Sequence, residues 1–349
     1  MRRGKLLTAL LGACMAMSLL AGCGKESEET TEPVVTEGTT EAETEEATTD
    51  ATEEDASASD EDADEENYDT GDASLDNVRN QDDIGEQELL VISFGTSFND
   101  SRRLTIGAIE DKLDEEFGDT YSVRRGFTSQ IIIDHVLSRD GIAIDNVTQA
   151  LDRAVDNGVK TLVIQPTHLM DGLEYNDVVN EVANYADAFD KVAIGAPLLT
   201  SDEDFEAVIA AITEATAEYD DGETAICFMG HGTEAASNEV YEKMQNMLAD
   251  AGYENYYIGT VEATPSLDDV LAQVKAGAYQ RVVLQPLMIV AGDHANNDMA
   301  GDEADSWKSV FEAEGYEVEC ILTGLGELPA IQDIFVAHAQ AAIEEAAGN

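Results

Sequence analysis

The sequence predicts an α/β protein built as two similar lobes, each a parallel sheet flanked by helices, with an active-site cleft between them. From about Gln87 to Asn349, short apolar runs alternate with amphipathic stretches of helical length. This alternation is typical of parallel sheets covered by helices on both faces. The region is long enough for two lobes that each have a core.

Internal repetition is the second observation behind this prediction. Both halves carry the same residues at the same offsets, namely Gln165-Pro166, Gly172 and Asn176 in the first and Gln285-Pro286, Gly292 and Asn296 in the second. The turn Phe94-Gly95-Thr96 corresponds in the same way to His231-Gly232-Thr233. A duplicated α/β unit brings two sets of strand ends to a shared cleft, which suits a large, flat ligand. We place the lobes at residues 87–199 and 200–349.

The elements of the first lobe follow in order along the chain. Short apolar runs predict strands at residues 89–94, from 121 onward, at 161–164 and at 191–195. Apolar residues at helical spacing predict helices at residues 104–117, 131–137, 147–155 and 175–188. Gly158 is placed to end the third of these helices.

The second lobe repeats this order after a short crossover near residues 196–200. Ser201 and Asp204 are spaced to cap its first helix, which presents Phe205, Val208 and Ile212 on one face. Further strands are predicted at residues 223–229, 256–261, 281–285 and 317–321. Further helices are predicted at residues 234–250, 266–276, 298–314 and 328–345.

Residues 1–22 have the features of a lipoprotein signal peptide. Three basic residues precede an apolar stretch that is shorter than the about 20 residues needed to span a bilayer. The ending Leu20-Ala21-Gly22-Cys23 resembles a bacterial lipobox, which implies cleavage before Cys23 and acylation of its thiol. An ordinary signal peptide with a chance cysteine is the alternative. Lipid on Cys23 predicts an extracytoplasmic protein that contacts the membrane only through this anchor.

An acidic segment separates the predicted anchor from the folded part. Residues 24–86 contain 25 acidic residues, two basic residues and few large apolar side chains. Such a composition cannot bury enough surface to offset the entropy of ordering. We therefore expect residues 23–86 to be a lipidated, disordered tether.

The charge and the cysteines of the sequence limit which ligands and which covalent links we expect. Residues 87–349 carry 49 acidic and 13 basic residues, so their surface would repel the phosphates of nucleic acid and attract cations. Cys227 and Cys320 fall in predicted strands, where they serve as small apolar residues. A disulfide between these two is the alternative.

Three polar side chains are predicted to converge at one edge of the second sheet. His231, Glu262 and His294 each follow an apolar run that reads as a buried strand. Two imidazoles and a carboxylate can together hold a divalent metal ion. The alternative for each histidine is a structural role at a strand end. The alternative for Glu262 is a role beside the helix cap at Ser266. His168 is a candidate to line the cleft, whereas His135 and His338 fall in helices.

The turn formed by Ser93, Gly95, Thr96 and Ser97 is a candidate anion-binding site. Hydroxyls and backbone amides at a strand-to-helix junction bind anions. The turn lacks a full phosphate-loop pattern, so carboxylates of a ligand are its better match, with Arg102 or a neighbouring arginine. The alternative is that these arginines are ordinary surface residues that bind no ligand.

Together these motifs resemble the anaerobic sirohydrochlorin cobalt chelatases, which are class II chelatases related in fold to ferrochelatase. The resemblance covers residues 88–345 and rests on Ser93-Phe94-Gly95-Thr96-Ser97-Phe98, Phe127-Thr128-Ser129, Gln165-Pro166, Gly230-His231-Gly232, Val261-Glu262 and Gly292-Asp293-His294-Ala295-Asn296-Asn297-Asp298-Met299-Ala300-Gly301. It implies insertion of Co²⁺ into sirohydrochlorin for anaerobic cobalamin biosynthesis. His231, Glu262 and His294 match the metal-site residues of the family. The lipidated, secreted form departs from the soluble members, which work beside a cytoplasmic pathway.

Metal insertion needs groups that strip water from the ion and accept two pyrrolic protons. Neutral imidazoles bind Co²⁺ and can release it, and a histidine or Glu262 can take a proton. The same ligands accept Fe²⁺ or Ni²⁺. A rival function is an extracytoplasmic lipoprotein that captures a metal or haem without catalysis. The sequence leaves open whether the protein is a homo-oligomer.

Overall fold

The computed structural model describes residues 70–82 and 84–348, which contain eight β-strands. The strands of the first lobe are β1 (Gln87–Ser93), β2 (Ser122–Phe127), β3 (Thr161–Pro166) and β4 (Lys191–Ile194). Those of the second lobe are β5 (Thr224–Gly230), β6 (Tyr256–Thr260), β7 (Arg281–Pro286) and β8 (Glu317–Cys320).

Ten α-helices connect and cover these strands within the described ranges. In the first lobe they are α1 (Asn99–Leu104), α2 (Ile106–Phe117), α3 (Gln130–Asp140), α4 (Val147–Asp156) and α5 (Leu173–Tyr185). The remaining helices are α6 (Asp202–Ala215), α7 (Glu239–Asp250), α8 (Leu267–Ala276), α9 (Trp307–Ala313) and α10 (Pro329–Gly348). No helix in these ranges is long and apolar enough to cross a membrane.

The two sheets have the same topology. The strand order is β2-β1-β3-β4 in the first sheet and β6-β5-β7-β8 in the second, and all neighbours are parallel. Helices connect successive strands, as parallel pairing requires. The predicted fold, two parallel α/β lobes, is confirmed.

Alternating side chains of the central strands enter different cores. In β5, Ile226 and Phe228 join a large core cluster to which both sheets contribute, whereas Cys227 and Met229 face the opposite side of the sheet. All four side chains are fully buried. Because successive residues of a strand point to opposite faces, a strand covered on both sides has a continuous apolar sequence.

The last helix leaves the lobe in which it follows in sequence. Helix α10 packs against β3 and β4 of the first sheet and against α2 and α6. His338 on this helix bonds through Nδ1 to the carbonyl oxygen of Ala196 (3.1 Å) and through Nε2 to Asp204 (3.0 Å). The crossover between the lobes is therefore held by a helix from the far end of the chain.

Several predicted helices differ in extent from the observed ones. The predicted helix at 104–117 is two helices, α1 and α2, which meet at Thr105. The predicted helix at 298–314 is a π-helical turn, Ala295–Met299, followed by the short helix α9. Ser306 caps α9 by accepting a hydrogen bond from the amide of Ser309 (3.1 Å), which sets the later start. The capping box of Ser201 and Asp204 is present as predicted.

The end of the acidic segment is ordered, although its composition predicted a disordered tether up to residue 86. Asp76 accepts hydrogen bonds from Arg102 (2.7 Å) and Arg125 (2.7 and 3.0 Å), and all three side chains are almost fully buried. Burial alone would raise the pKa of Asp76, but the two guanidinium groups lower it. These ion pairs hold residues 70–82 against the first lobe.

The other predictions for the amino-terminal part lie outside the described residues. They are the signal peptide at 1–22, the lipid on Cys23 and the tether up to residue 69. Cys227 and Cys320 are free thiols, so the alternative of a disulfide between them is wrong.

Replacing Asp76 with Asn should destabilise the protein by about 3–5 kcal/mol, because it removes the carboxylate that pairs with the buried guanidinium of Arg102, while Arg125 keeps Glu110. The free energy of unfolding in urea measures this effect. The control is Glu314→Gln, which breaks a half-exposed pair with Lys275 and should change stability by at most about 1 kcal/mol.

The same variant should also change the acid sensitivity of folding. Since the folded pKa of Asp76 lies below its unfolded value, its contribution is present above the unfolded pKa and is lost as pH falls through the folded pKa. Equal loss of stability in acid for wild type and Asp76→Asn would contradict this account.

Candidate metal centre

His231 is presented by the end of the central strand of the second sheet. It directly follows β5, and Gly232 continues the chain with a φ of 90°, in the region that favours glycine. Nδ1 of His231 donates a hydrogen bond to the carbonyl oxygen of Gly232 (2.9 Å). Because a carbonyl can only accept, the proton lies on Nδ1 and Nε2 carries a lone pair for a metal ion.

His294 is oriented by a carboxylate. It lies at the beginning of the π-helical turn that follows β7, and its Nδ1 bonds to Oδ2 of Asp298 (2.8 Å). A carboxylate that accepts from one ring nitrogen leaves the other as a metal ligand and fixes the plane of the ring. The i,i+4 spacing of the two residues allows this contact within one turn.

Glu262 completes a cluster with the two histidines. Potential ligand atoms of His231, Glu262 and His294 all lie within 4.8 Å of one another. The imidazole centroids are 4.6 Å apart with the rings nearly perpendicular, and Nδ1 of His231 is 3.8 Å from Oε2 of Glu262. The structure thus brings together all three residues that the sequence predicted.

The exposure of the cluster suits a reactive centre. The side chains of His231 and Glu262 are 47% and 44% exposed, and that of His294 is 19% exposed. A structural metal site is normally closed by four protein ligands, whereas a site that exchanges its metal keeps open positions. Three accessible ligands can therefore take up an ion and release it to another ligand.

A second acidic group adjoins His294. Asp293, His294 and Asp298 also place potential ligand atoms within 4.8 Å of one another. Asp298 further lines a cavity of about 700 Å³ that contains Asp268, Asp302 and Glu303. Asp298 thus connects His294 to a cavity lined by further carboxylates.

The repeated motifs occupy equivalent positions in the two lobes. Nδ2 of Asn176 donates to the carbonyl of Gly172 at 2.7 Å, and Nδ2 of Asn296 donates to the carbonyl of Gly292 at 2.7 Å. The backbone amides of both asparagines repeat this contact at 3.1 Å.

This equivalence identifies Glu174, which the sequence analysis missed. Glu174 stands nine residues after Gln165, as His294 stands nine after Gln285. Glu174 is partly in contact with solvent. The loss of water around its carboxylate raises the pKa of Glu174, and the charge of His231 lowers it. Glu174 is therefore close enough to His231 to interact with it electrostatically. The matching offsets were the available signal.

The predicted anion-binding turn is not part of the metal cluster. Ser93, Thr96 and Ser97 are almost fully buried, and Gly95 has a φ of 111°. Thr167 donates a hydrogen bond to the hydroxyl of Ser93 (2.7 Å), and Thr96 accepts one from the amide of Phe98 (3.2 Å). These hydroxyls are engaged within the first lobe.

Arg102 is equally engaged within the protein. Its side chain is fully buried and donates to Asp76, to Asn99 (2.6 Å) and to the carbonyl of Thr96 (3.0 Å). Arg124 and Arg125 are also fully buried in ion pairs. The structure assigns these arginines to internal pairing, so they do not form the local positive patch considered from the sequence.

The remaining histidines lie outside the metal cluster. His168 is 7% exposed, and neither ring nitrogen has a hydrogen-bond partner among the described residues. Burial lowers the pKa of His168 to about 4, so its ring is neutral near pH 7. His135 lies on α3, and His338 bonds to the crossover between the lobes.

Comparison with known proteins places the folded part of the chain in a family. Residues 87–344 match the family model described as cobalt chelatase (CbiK). The chain is 38% identical over 266 residues to a sirohydrochlorin cobaltochelatase of Salmonella typhimurium, covering 75% of this chain and 100% of that relative. It is 31% identical over 274 residues to sirohydrochlorin cobaltochelatase CbiKC of Nitratidesulfovibrio vulgaris, covering 77% and 96% of the two chains.

A solved structure shares the fold at low sequence identity. The sirohydrochlorin chelatase SirB from Bacillus subtilis subspecies spizizenii, in complex with cobalt, aligns with a TM-score of 0.52 and 12% identity, covering 76% of this chain and 98% of that one. The family model covers far more than half of the chain, and both sequence relatives are matched over nearly their whole length. On this evidence the protein belongs to the cobalt chelatase (CbiK) family.

Proposed function

We propose that this protein is a sirohydrochlorin cobaltochelatase, which inserts Co²⁺ into the tetrapyrrole and releases two protons. The observation that carries the proposal is the cluster of His231, Glu262 and His294, open to the cleft of a member of this family. The matched relatives are named for the same reaction. The product serves anaerobic cobalamin biosynthesis.

The metal ion is a substrate that the cluster holds before transfer. Nε2 of His231 and of His294 supply nitrogen ligands, and Glu262 supplies an oxygen ligand and negative charge. Imidazole and carboxylate bind first-row divalent ions less tightly than a thiolate site would, which favours release. The same chemistry accepts Fe²⁺ or Ni²⁺, so the choice of Co²⁺ rests on the family.

The carboxylates also suit the transfer of protons. Each insertion frees two pyrrolic protons, which need acceptors beside the macrocycle. Glu262 lies at the ion, whereas Glu174 approaches His231 from the other lobe. Because the surrounding protein raises the pKa of Glu174, its carboxylate is a stronger base than a fully solvated one.

The extracytoplasmic lipoprotein form is part of the proposal. The basic, apolar and small-residue pattern that ends at Cys23 supports cleavage before this residue and acylation of its thiol. The acidic segment then spaces the folded lobes from the membrane. This form also favours a second candidate function, the capture of a metal or haem without catalysis.

Turnover separates these two functions. With excess sirohydrochlorin and Co²⁺, the full-length protein should convert many equivalents of the tetrapyrrole, which absorption spectroscopy follows. His231→Ala and His294→Ala should each reduce the rate by more than about 100-fold, because each removes a metal ligand. His135→Ala is the matched control and should behave as wild type. Stoichiometric binding without turnover would support the carrier instead, and parallel runs with Fe²⁺ and Ni²⁺ test the metal.

Asp298 should act by positioning His294. Asp298→Ala should weaken Co²⁺ binding by about 10–100-fold in calorimetry, whereas Asp298→Asn, which keeps an acceptor, should retain most of the affinity. The control is Asp302→Ala, since Asp302 lines the same cavity but pairs with Lys308. Equal losses for Ala at both positions would mean that general negative charge, and not orientation of the ring, sets the affinity.

Cys23 should determine where the protein is found. Wild type should carry diacylglycerol on Cys23 and sediment with membranes, whereas Cys23→Ser should appear in the soluble extracytoplasmic fraction. Mass spectrometry of the amino-terminal peptide and fractionation measure these outcomes. A Cys23→Ser protein that still sediments with membranes would refute the lipid anchor.

A further inference from the structure

The duplicated turns at the ends of β1 and β5 carry different side chains. Phe94 stands in the first lobe where His231 stands in the second, and each precedes a glycine with positive φ, 111° at Gly95 and 90° at Gly232. The similar backbone makes the two positions equivalent. The second lobe thus presents a metal ligand at this point, and the first lobe presents an aromatic ring.

Phe94 is exposed at a point where its neighbours are not. Its exposed fraction is 45%, whereas Leu89, Leu90, Val91 and Ile92 of the preceding strand β1 are fully buried. Leu173 is 68% exposed at the beginning of α5 and directly precedes Glu174, which interacts with His231. Single exposed apolar residues are ordinary. Phe94 differs from such residues because its position in the first lobe corresponds to that of His231 in the second.

The turn of Phe94 adjoins the loop that carries His294. A Cβ atom on Gly292 would lie 3.1 Å from Oγ1 of Thr96, and the amide of Ala291 donates to Oγ of Ser101 (3.0 Å). Phe94 is two residues from Thr96, and His294 is two residues from Gly292. The turn that carries Phe94 in the first lobe is therefore in contact with the loop that carries His294 in the second.

We propose that Phe94, supported by Leu173, packs against the face of the tetrapyrrole that is turned away from the metal ligands. The ring is a positioning residue, which holds the macrocycle over the ion without contacting the ion. A phenylalanine buries a large apolar area and stacks on a conjugated ring system. This inference rests on the proposed function, because it takes sirohydrochlorin as the ligand.

The test is a difference-absorption titration of the full-length, metal-free protein with sirohydrochlorin, which measures binding. Phe94→Ala should weaken this binding by about 10–100-fold and raise KM, because a desolvated apolar contact is lost. Phe94→Tyr, which keeps the ring, should restore near wild-type binding. Co²⁺ affinity in calorimetry should be unchanged in both variants.

Val155→Ala is the matched control, since Val155 is 41% exposed on α4 near the opposite edge of the first sheet. It should leave sirohydrochlorin binding unchanged. Urea unfolding of each variant reports whether the fold is intact. We expect the Phe94 variants to fold normally, because this side chain is exposed.

The possible results separate this inference from the proposed function. Unchanged sirohydrochlorin binding in Phe94→Ala overturns the role of the ring even where wild type turns over. Weaker binding in Phe94→Ala supports the ring even where no metal is inserted. Loss of Co²⁺ affinity in Phe94→Ala also overturns the inference, whereas failure of wild type to bind sirohydrochlorin overturns the proposed function and the inference with it.

Discussion

The geometry of three adjacent parallel strands determines where the three candidate metal ligands meet. β5 lies between β6 and β7, and neighbouring strands in a sheet are about 4.8 Å apart. The residues that follow the carboxyl ends of these strands must therefore emerge close together. His231 follows the central strand, Glu262 follows one neighbour and His294 lies in the loop after the other. Any change that altered the register of β5 would separate the ligands.

Buried charge pairs explain how an acidic protein distributes its few cations. Arg102, Arg124 and Arg125 are fully buried and face carboxylates of the first lobe or of residues 70–82. Burial alone would lower the pKa of Arg125, but Glu110 and Asp76 raise it, so the guanidinium stays charged. With these cations paired inside, the excess of acidic residues in the sequence is left for the surface, and negative surface charge attracts divalent ions.

The two lobes share one backbone framework but carry different side chains at equivalent positions. The repeated asparagine contacts and the shared strand order give both lobes the same framework. At equivalent points the second lobe carries His231 and His294, and the first carries Phe94 and Glu174. The candidate metal ligands of the second lobe thus correspond in position to an apolar ring and a carboxylate in the first. The C-terminal helix α10 joins the lobes by packing on the first sheet.

The sequence alone determined the class of fold and which three side chains, His231, Glu262 and His294, would meet at one sheet edge. Both depend on local patterns, because alternating apolar runs specify parallel strands and residues after such strands share one sheet edge. Only the tertiary structure decided the environment of Arg102, the order of residues 70–82, the packing of α10 and the position of Glu174. Each of these depends on contacts between residues far apart in the chain, and neither composition nor periodicity specifies which distant groups will pair.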